Sequence, residues 1–323
     1  DVYKRQLESE ILPLEDYIDT LKSILRSWCT PPLLVEGKKV LEGARVYSAL
    51  WALGPLYAPV TSEPGELSQC TSLDELEFYY ELRQPSARVY FSVVELVGRD
   101  VPTPVVLLKD IGGSGVRVWA KLEWYHPLSL SIKDRVAWFM LQHALEKGDL
   151  KSRLLYEATS ANTGLGLVGL ANYYGLKTRV YLPLTAQGYL EYVFKAMGAE
   201  VVRKSAQITV EMIDSVLEEA ARNGAAVLNQ FENDLNFVAH LRQTAKEVDY
   251  QLKSVGAKPA AVVCGLGTSG HASAISVYFK SKYGNVRVYG VQPRAGSFIP
   301  GTRRVETGMK WLKYAELDGV LEY

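Results

Sequence analysis

Only three cysteines, Cys29, Cys70 and Cys264, occur in 323 residues. They are too few and too scattered for a disulfide framework or a zinc site, which suits a reducing cytosol; each is expected as a small buried apolar side chain. Net charge is missing as well, because 36 Lys and Arg balance 36 Asp and Glu. No field of one sign would gather phosphate backbones or anionic lipid, so nucleic acid is not an expected partner. No apolar run approaches the roughly 20 residues of a membrane helix, and no charged-then-apolar leader opens the chain. A cytoplasmic protein without a membrane partner is expected. Histidine is scarce too: His126, His143 and His240 have no ligand-like spacing and read as surface or packing residues, with no metal implied.

The remaining composition is that of a folded protein. Hydrophobic residues at 48% and charged residues at 22% exclude disordered and collagen-like chains, and the length suits two domains with separate cores. Residues 1–6 read as an in-frame translation of a sequencing adaptor and are set aside. Leu14, Ile18, Leu21, Ile24 and Leu25 recur at helical spacing within 8–28. The stretch from about 30 to 100 is mixed, broken at Pro31-Pro32, Gly54-Pro55 and Pro64-Gly65, with a Leu/Tyr-rich helical run near 73–83. Residues 7–100 are thus expected to form a helical N-terminal extension.

Beyond residue 115 strands and helices alternate. Strands are expected at 116–122, 153–157, 178–182 and 200–202, and helices at 134–146, 163–174, 188–197 and 209–223. A second block has a helix at 235–254, a strand at 260–264, a helix at 269–282 and a strand at 287–291. Short apolar strands separated by helices predict parallel sheets covered on both faces.

Three places carry chemistry. Gly265-Leu266-Gly267-Thr268-Ser269-Gly270-His271 follows a strand and opens a helix, so its N–H groups converge as an anion site unless it is an ordinary tight turn. It is neither a Walker loop nor a Gly-x-Gly-x-x-Gly dinucleotide fingerprint. Thr159-Ser160-Ala161-Asn162-Thr163-Gly164 stands at a similar turn, either as a helix cap or as a carboxylate site. Lys133 opens a helix, where its charge opposes the macrodipole. A solvated lysine gains little there, whereas an amine with a lowered pKa forms Schiff bases and carries protons.

Together these segments resemble the fold type II pyridoxal-phosphate enzymes, and in particular the cysteine synthase family. Ser131-Ile132-Lys133-Asp134-Arg135, Thr159-Ser160-Ala161-Asn162-Thr163 and Gly267-Thr268-Ser269-Gly270-His271 follow the family's order, and Thr103-Pro104 matches an earlier element. Lys121-Leu122-Glu123-Trp124-Tyr125, Asn229-Gln230-Phe231 and the run from Ile299 to Met309 are similar to the archaeal O-phosphoserine sulfhydrylases. The resemblance implies an α/β fold of two parallel αβα sheet domains, tryptophan synthase β-like. The larger, cofactor-binding domain would take 101–126 and 233–323, and a smaller mobile one 127–232.

The resemblance also implies residue roles. Lys133 is the Schiff-base lysine and the Cα base, Asn162 meets the cofactor ring hydroxyl, and Gly267, Thr268, Ser269, Gly270 and His271 cradle the cofactor phosphate. Thr159, Ser160, Thr163 and Gln230 hold the substrate carboxylate beside Phe231, and Arg303 takes the substrate phosphate, a role Arg304 could exchange with it. Thr209 stands where a substrate-side hydroxyl is expected, without a motif around it. The implied reaction makes L-cysteine from O-phosphoserine and sulfide through an α-aminoacrylate, in a homodimer. Departures are Ala161 for the family glycine, Ser269 and His271 in the phosphate loop, and the absence of the family's final Gly-x-Ser/Thr element, which reads as a fragment. The alternatives are an O-acetylserine sulfhydrylase, a cystathionine β-synthase, a threonine synthase, or an inactive binding or regulatory relative.

Overall fold

The computed structural model describes residues 3–4, 7, 9–55, 57–76, 78, 87–99, 102–109, 111 and 115–323. Helix α1 (Leu14–Ser27) buries Leu14, Tyr17, Ile18, Leu21, Ile24 and Leu25 along one stripe, as the spacing requires. It starts at Leu14 because Pro13 caps it at φ −54, and the residue before a proline is pushed out of helical geometry. Helix α2 (Ala44–Leu53) lies against α1, and α3 (Val93–Arg99) precedes the antiparallel pair Val105–Leu108 and Val118–Lys121.

The extension is helical only in part. Leu33–Glu36 and Lys39–Glu42 pair antiparallel around Gly37, at φ 61, and Ala58–Thr61 adds to the first of them in parallel. Tyr3–Lys4, within the segment set aside, pairs with Ala58 and Pro59. Of the helical run expected at 73–83, Leu73–Glu75 make one 3₁₀ turn. Residues 77 and 79–83 lie outside the described residues.

The cysteine reading needs correction. Cys29 and Cys70 form a disulfide with Cα atoms 5.7 Å apart, and only Cys264 is free and buried. Cys29–Thr30 and Thr71–Ser72 pair antiparallel, Cys29 facing Ser72, and this pairing brings together thiols separated by 41 positions. Cysteine scarcity therefore gives no ground for a reducing compartment. Among the described residues, no helix is long and apolar enough to cross a membrane, and no cluster of metal-ligating side chains occurs.

The alternating half forms two parallel sheets. In the first, the order is Glu200–Arg203, Lys177–Leu182, Leu154–Ala158 and Ala226–Val227. Helices α4 (Lys133–Lys147), α5 (Asn162–Tyr173), α6 (Tyr189–Ala196) and α7 (Ile213–Asn223) accompany it. The second sheet runs Ala261–Gly265, Arg287–Gln292 and Gly319–Glu322. The expected strand near 116–122 is instead Val118–Lys121, paired antiparallel with Val105–Leu108. The expected single helix at 235–254 is three pieces: α8 (Leu235–Ala239), a π-helical stretch His240–Ala245, and α9 (Lys246–Ser254). Helix α10 (Gly270–Tyr283) follows the second sheet's first strand.

The largest core joins α1, α2, the π stretch and α10, and Trp311 is fully enclosed in it. Trp311 Nε1 donates to Asp234 Oδ1 at 2.9 Å, and Asp234 Oδ2 accepts from the backbone N–H of Leu14 at 3.2 Å. One carboxylate thus ties the chain's last third to the start of α1. Replacing Trp311 with alanine is expected to cost about 3–5 kcal/mol of unfolding free energy, through cavity creation and loss of that bond. Urea denaturation at constant m-value measures it.

Candidate active site

Both polar turns lie at the carboxyl ends of parallel strands, where open α/β sheets place their ligands. Between them is a cavity of about 420 Å³. Lys133, Thr159, Ser160, Asn162, Thr163, Gln230 and Phe231 line it. Gly267, Thr268, Ser269, His271 and Arg303 line it as well. Gly270 alone among the expected residues stands back, packed against the Asn236 side chain so closely that a Cβ there would collide with it.

The two residues that follow Lys133 anchor the start of α4. Asp134 accepts from the backbone N–H groups of Leu128 at 2.8 Å and Ser129 at 2.9 Å and from the Ser129 hydroxyl, which fixes the turn that delivers the lysine. Leu130 in that turn adopts φ 50, a conformation L residues seldom take. Arg135 points the other way, into a buried cluster. Its Nη1 and Nη2 meet the two oxygens of Glu247 at 2.6 and 2.7 Å, and its Nε and Nη2 meet those of Glu123 at 2.7 and 3.0 Å. Burial pushes the Glu123 carboxyl up, but the Arg135 guanidinium and the His126 ring together outweigh it and hold the group well below the usual carboxylate range.

The Lys133 amine itself has no ion-pair or hydrogen-bond partner among the described residues. Burial, and secondarily the Arg303 guanidinium, pull its pKa down to about 8. That is the condition a nucleophilic, proton-carrying amine needs near neutral pH.

The phosphate-loop side is built on the N-terminus of α10. Ser269 caps it at φ 73, and its hydroxyl is buried without a partner. Thr268 Oγ1 accepts from Asn236 Nδ2 at 3.0 Å. The His271 ring, at 5.6 Å from the His240 ring, is pushed down to about 4 by burial and by Lys133, so it is neutral and can donate without adding charge. His240 is fully buried, as its packing reading expected.

On the opposite turn, Thr159 Oγ1 accepts from the N–H groups of Ala161 at 3.3 Å and Gly164 at 3.2 Å, so it does cap α5. Capping uses its lone pairs and leaves its O–H free to donate. Thr163 Oγ1 donates to Gln230 Oε1 at 2.6 Å.

The two arginines part company. Arg303 Nε donates to the Gly267 carbonyl at 2.9 Å, its guanidinium carbon stands 4.9 Å from the centre of the Phe231 ring, and its Nη1 is buried without a partner. Arg304 instead pairs with Glu306 at 2.9 Å and Glu322 at 2.8 Å, and is absent from the cavity wall.

The cavity also takes in residues the motifs did not reveal. Thr209, which lacked a motif, lines it, as do Thr185, Gln187 and Phe298. Asn236, fully buried on α8, bridges the Gln230 carbonyl at 2.7 Å and Thr268, and its Oδ1 is unpartnered. A polar residue inside the apolar run Leu235-Asn236-Phe237-Val238-Ala239 was the only hint of it.

Residues 98–312 match the family described as "Pyridoxal-phosphate dependent enzyme". The chain belongs to this family. Similar pyridoxal-phosphate enzymes include cysteine synthase B of Escherichia coli, 34% identical over 64% of this chain and 67% of that protein. Cystathionine beta-synthase of Saccharomyces cerevisiae is 34% identical over 62% of this chain. The match spans 41% of that yeast protein. A hydrogen sulfide-producing enzyme of Fusobacterium nucleatum superposes with a TM-score of 0.60 at 28% identity, over 73% of this chain and 81% of that one. Cysteine synthase of Entamoeba histolytica gives 0.59 at 26%, over 75% of each. The expected α/β fold with parallel sheets and the pyridoxal-phosphate dependence both stand.

The residues present fit this family's cofactor. A half-buried amine without a partner among the described residues lines the same cavity as a helix N-terminus whose Ser269 hydroxyl is buried and unsatisfied, and buried polar groups are ordinarily paired. Lys133 would hold the cofactor through its amine, Asn162 would meet the ring hydroxyl, and the 267–271 turn would take the phosphate.

Proposed function

We propose that the protein makes L-cysteine from O-phospho-L-serine and sulfide by replacement at Cβ. The observation that carries this reading is Arg303. Its guanidinium is oriented by the Gly267 carbonyl and the Phe231 ring, the residue lines the cavity that holds Lys133, and its Nη1 is buried without a partner. A planar fork of donors in a confined site suits a phosphoryl group.

Pyridoxal phosphate, when bound, supplies the electron sink. The protein's share is orientation and proton handling. Thr159, Ser160, Thr163 and Gln230 hold the substrate carboxylate, and Arg303 holds the substrate phosphate. Lys133 takes the proton from Cα; phosphate leaves Cβ with the C–O electron pair; hydrosulfide adds at Cβ; Lys133 returns the proton to Cα. The sum is O-phosphoserine plus hydrogen sulfide giving cysteine plus inorganic phosphate. Closure of the smaller block, 127–232, over the cleft would keep water out. The reading includes a homodimer, which sedimentation would test.

An O-acetylserine substrate is the second reading, favoured by the likeness to the Entamoeba histolytica structure, whose name carries the abbreviation OASS. Cysteine formation from sulfide, assayed separately with O-phosphoserine and O-acetylserine on the cofactor-loaded protein, decides between them. A higher kcat/KM for the phosphate ester is expected; a higher value for the acetyl ester overturns the substrate assignment.

A further inference from the structure

Glu157 is the penultimate residue of the Leu154–Ala158 strand and is only 3% exposed. Among the described residues it pairs with no basic side chain. Its neighbour strand Ala226–Val227 keeps register with Leu155 and Tyr156 and then stops. Where the ladder ends, the Glu157 carboxylate continues it: Oε2 accepts from the N–H of Asn229 at 3.0 Å and Oε1 from that of Gln230 at 3.3 Å. These donors would otherwise be stranded in a buried turn.

That turn is unfavourable by itself. Asn229 adopts φ 51, and its Oδ1 accepts from the N–H of Phe231 at 3.2 Å. The same turn carries Gln230, whose Oε1 accepts from Thr163 at 2.6 Å, and Phe231, which faces Arg303. The Gln230 carbonyl in turn accepts from Asn236, which also reaches Thr268. A buried acid is thus placed behind the wall where the α5 turn meets the phosphate loop.

We propose that Glu157 is a positioning residue whose carboxylate holds the Asn229-Gln230-Phe231 turn so that Thr163 and Gln230 present a fixed pocket to an amino-acid carboxylate. This rests on the amino-acid reading above. Burial pushes the Glu157 carboxyl up to about 7 against the opposing pull of the backbone N–H groups. Both oxygens are needed as acceptors, one for each N–H, and an amide offers only one.

The test uses the cofactor-loaded full chain and two ligands that do not turn over: L-alanine, and ethylamine, which is the same molecule without its carboxylate. Visible spectral change reports each titration. In Glu157→Gln, one accepting oxygen becomes a donor amide, and the half-saturating L-alanine concentration is expected to rise roughly tenfold. Ethylamine titration, cofactor content and the unliganded spectrum should stay at wild-type values. Unchanged L-alanine binding overturns the proposal, and so does equal weakening for both ligands. If Glu157→Gln does not fold, Asn229→Gly loosens the same turn from its other side and must show the same selective loss. A wild-type protein that responds to neither ligand sinks the amino-acid reading itself, an outcome distinct from both.

Discussion

Lys133→Ala is expected to lose the visible absorbance of the lysine-bound cofactor and to lower cysteine formation by about 10³-fold or more, since nucleophile and base disappear together. The fold should survive. Removing an amine that burial already disfavours, and that has no ion-pair partner among the described residues, costs no paired interaction. Thermal melting of the variant without cofactor should match wild type, which separates lost chemistry from lost structure. The direction with pH follows from the same environment. With its pKa pulled down to about 8, Lys133 is mostly protonated at pH 7 and mostly neutral at pH 9. Only the neutral amine attacks a carbonyl, so the rate of cofactor uptake should rise across that interval and level off above it. Stopped-flow mixing with pyridoxal phosphate measures this; a flat profile would mean that another step or another group governs uptake.

Much of this site was legible because its parts are local in sequence. Lys133 at a helix start, the Thr159–Thr163 turn and the Gly267–His271 turn are each a strand or helix end with its own signature. The parallel order of strands then places both turns at one edge, so the cleft was legible too. What escaped are partners joined only by the fold. Glu157 meets Asn229 and Gln230 across 72 and 73 positions, and Arg135 meets Glu247 across 112. Cys29 and Cys70 pair because two short strands do, and neither strand is long enough to show a period. The break at His240–Ala245 escaped for another reason: a π stretch keeps helical composition while shifting the hydrogen bonds by one residue.

Arg303→Ala should separate the two esters. The Arg303 Nε bond to the Gly267 carbonyl and the Phe231 face fix the guanidinium plane, so little rotamer entropy is lost when a phosphoryl group arrives. Truncation leaves that group's charge without its buried partner, a loss of about 3 kcal/mol, roughly 100-fold in kcat/KM for O-phosphoserine. O-acetylserine brings no such charge and should change by less than about threefold. Arg303→Lys should recover only part of the loss, because an ammonium supplies a point charge without the paired donors. Arg304→Ala is the internal control: its guanidinium already pairs with Glu306 and Glu322, and both esters should react at near wild-type rates. Arg303 also helps hold the Lys133 pKa down, so its removal should shift the uptake profile to higher pH. A loss shared equally by both esters would trace to that shift alone, and the phosphate would have to be bound elsewhere in the cavity.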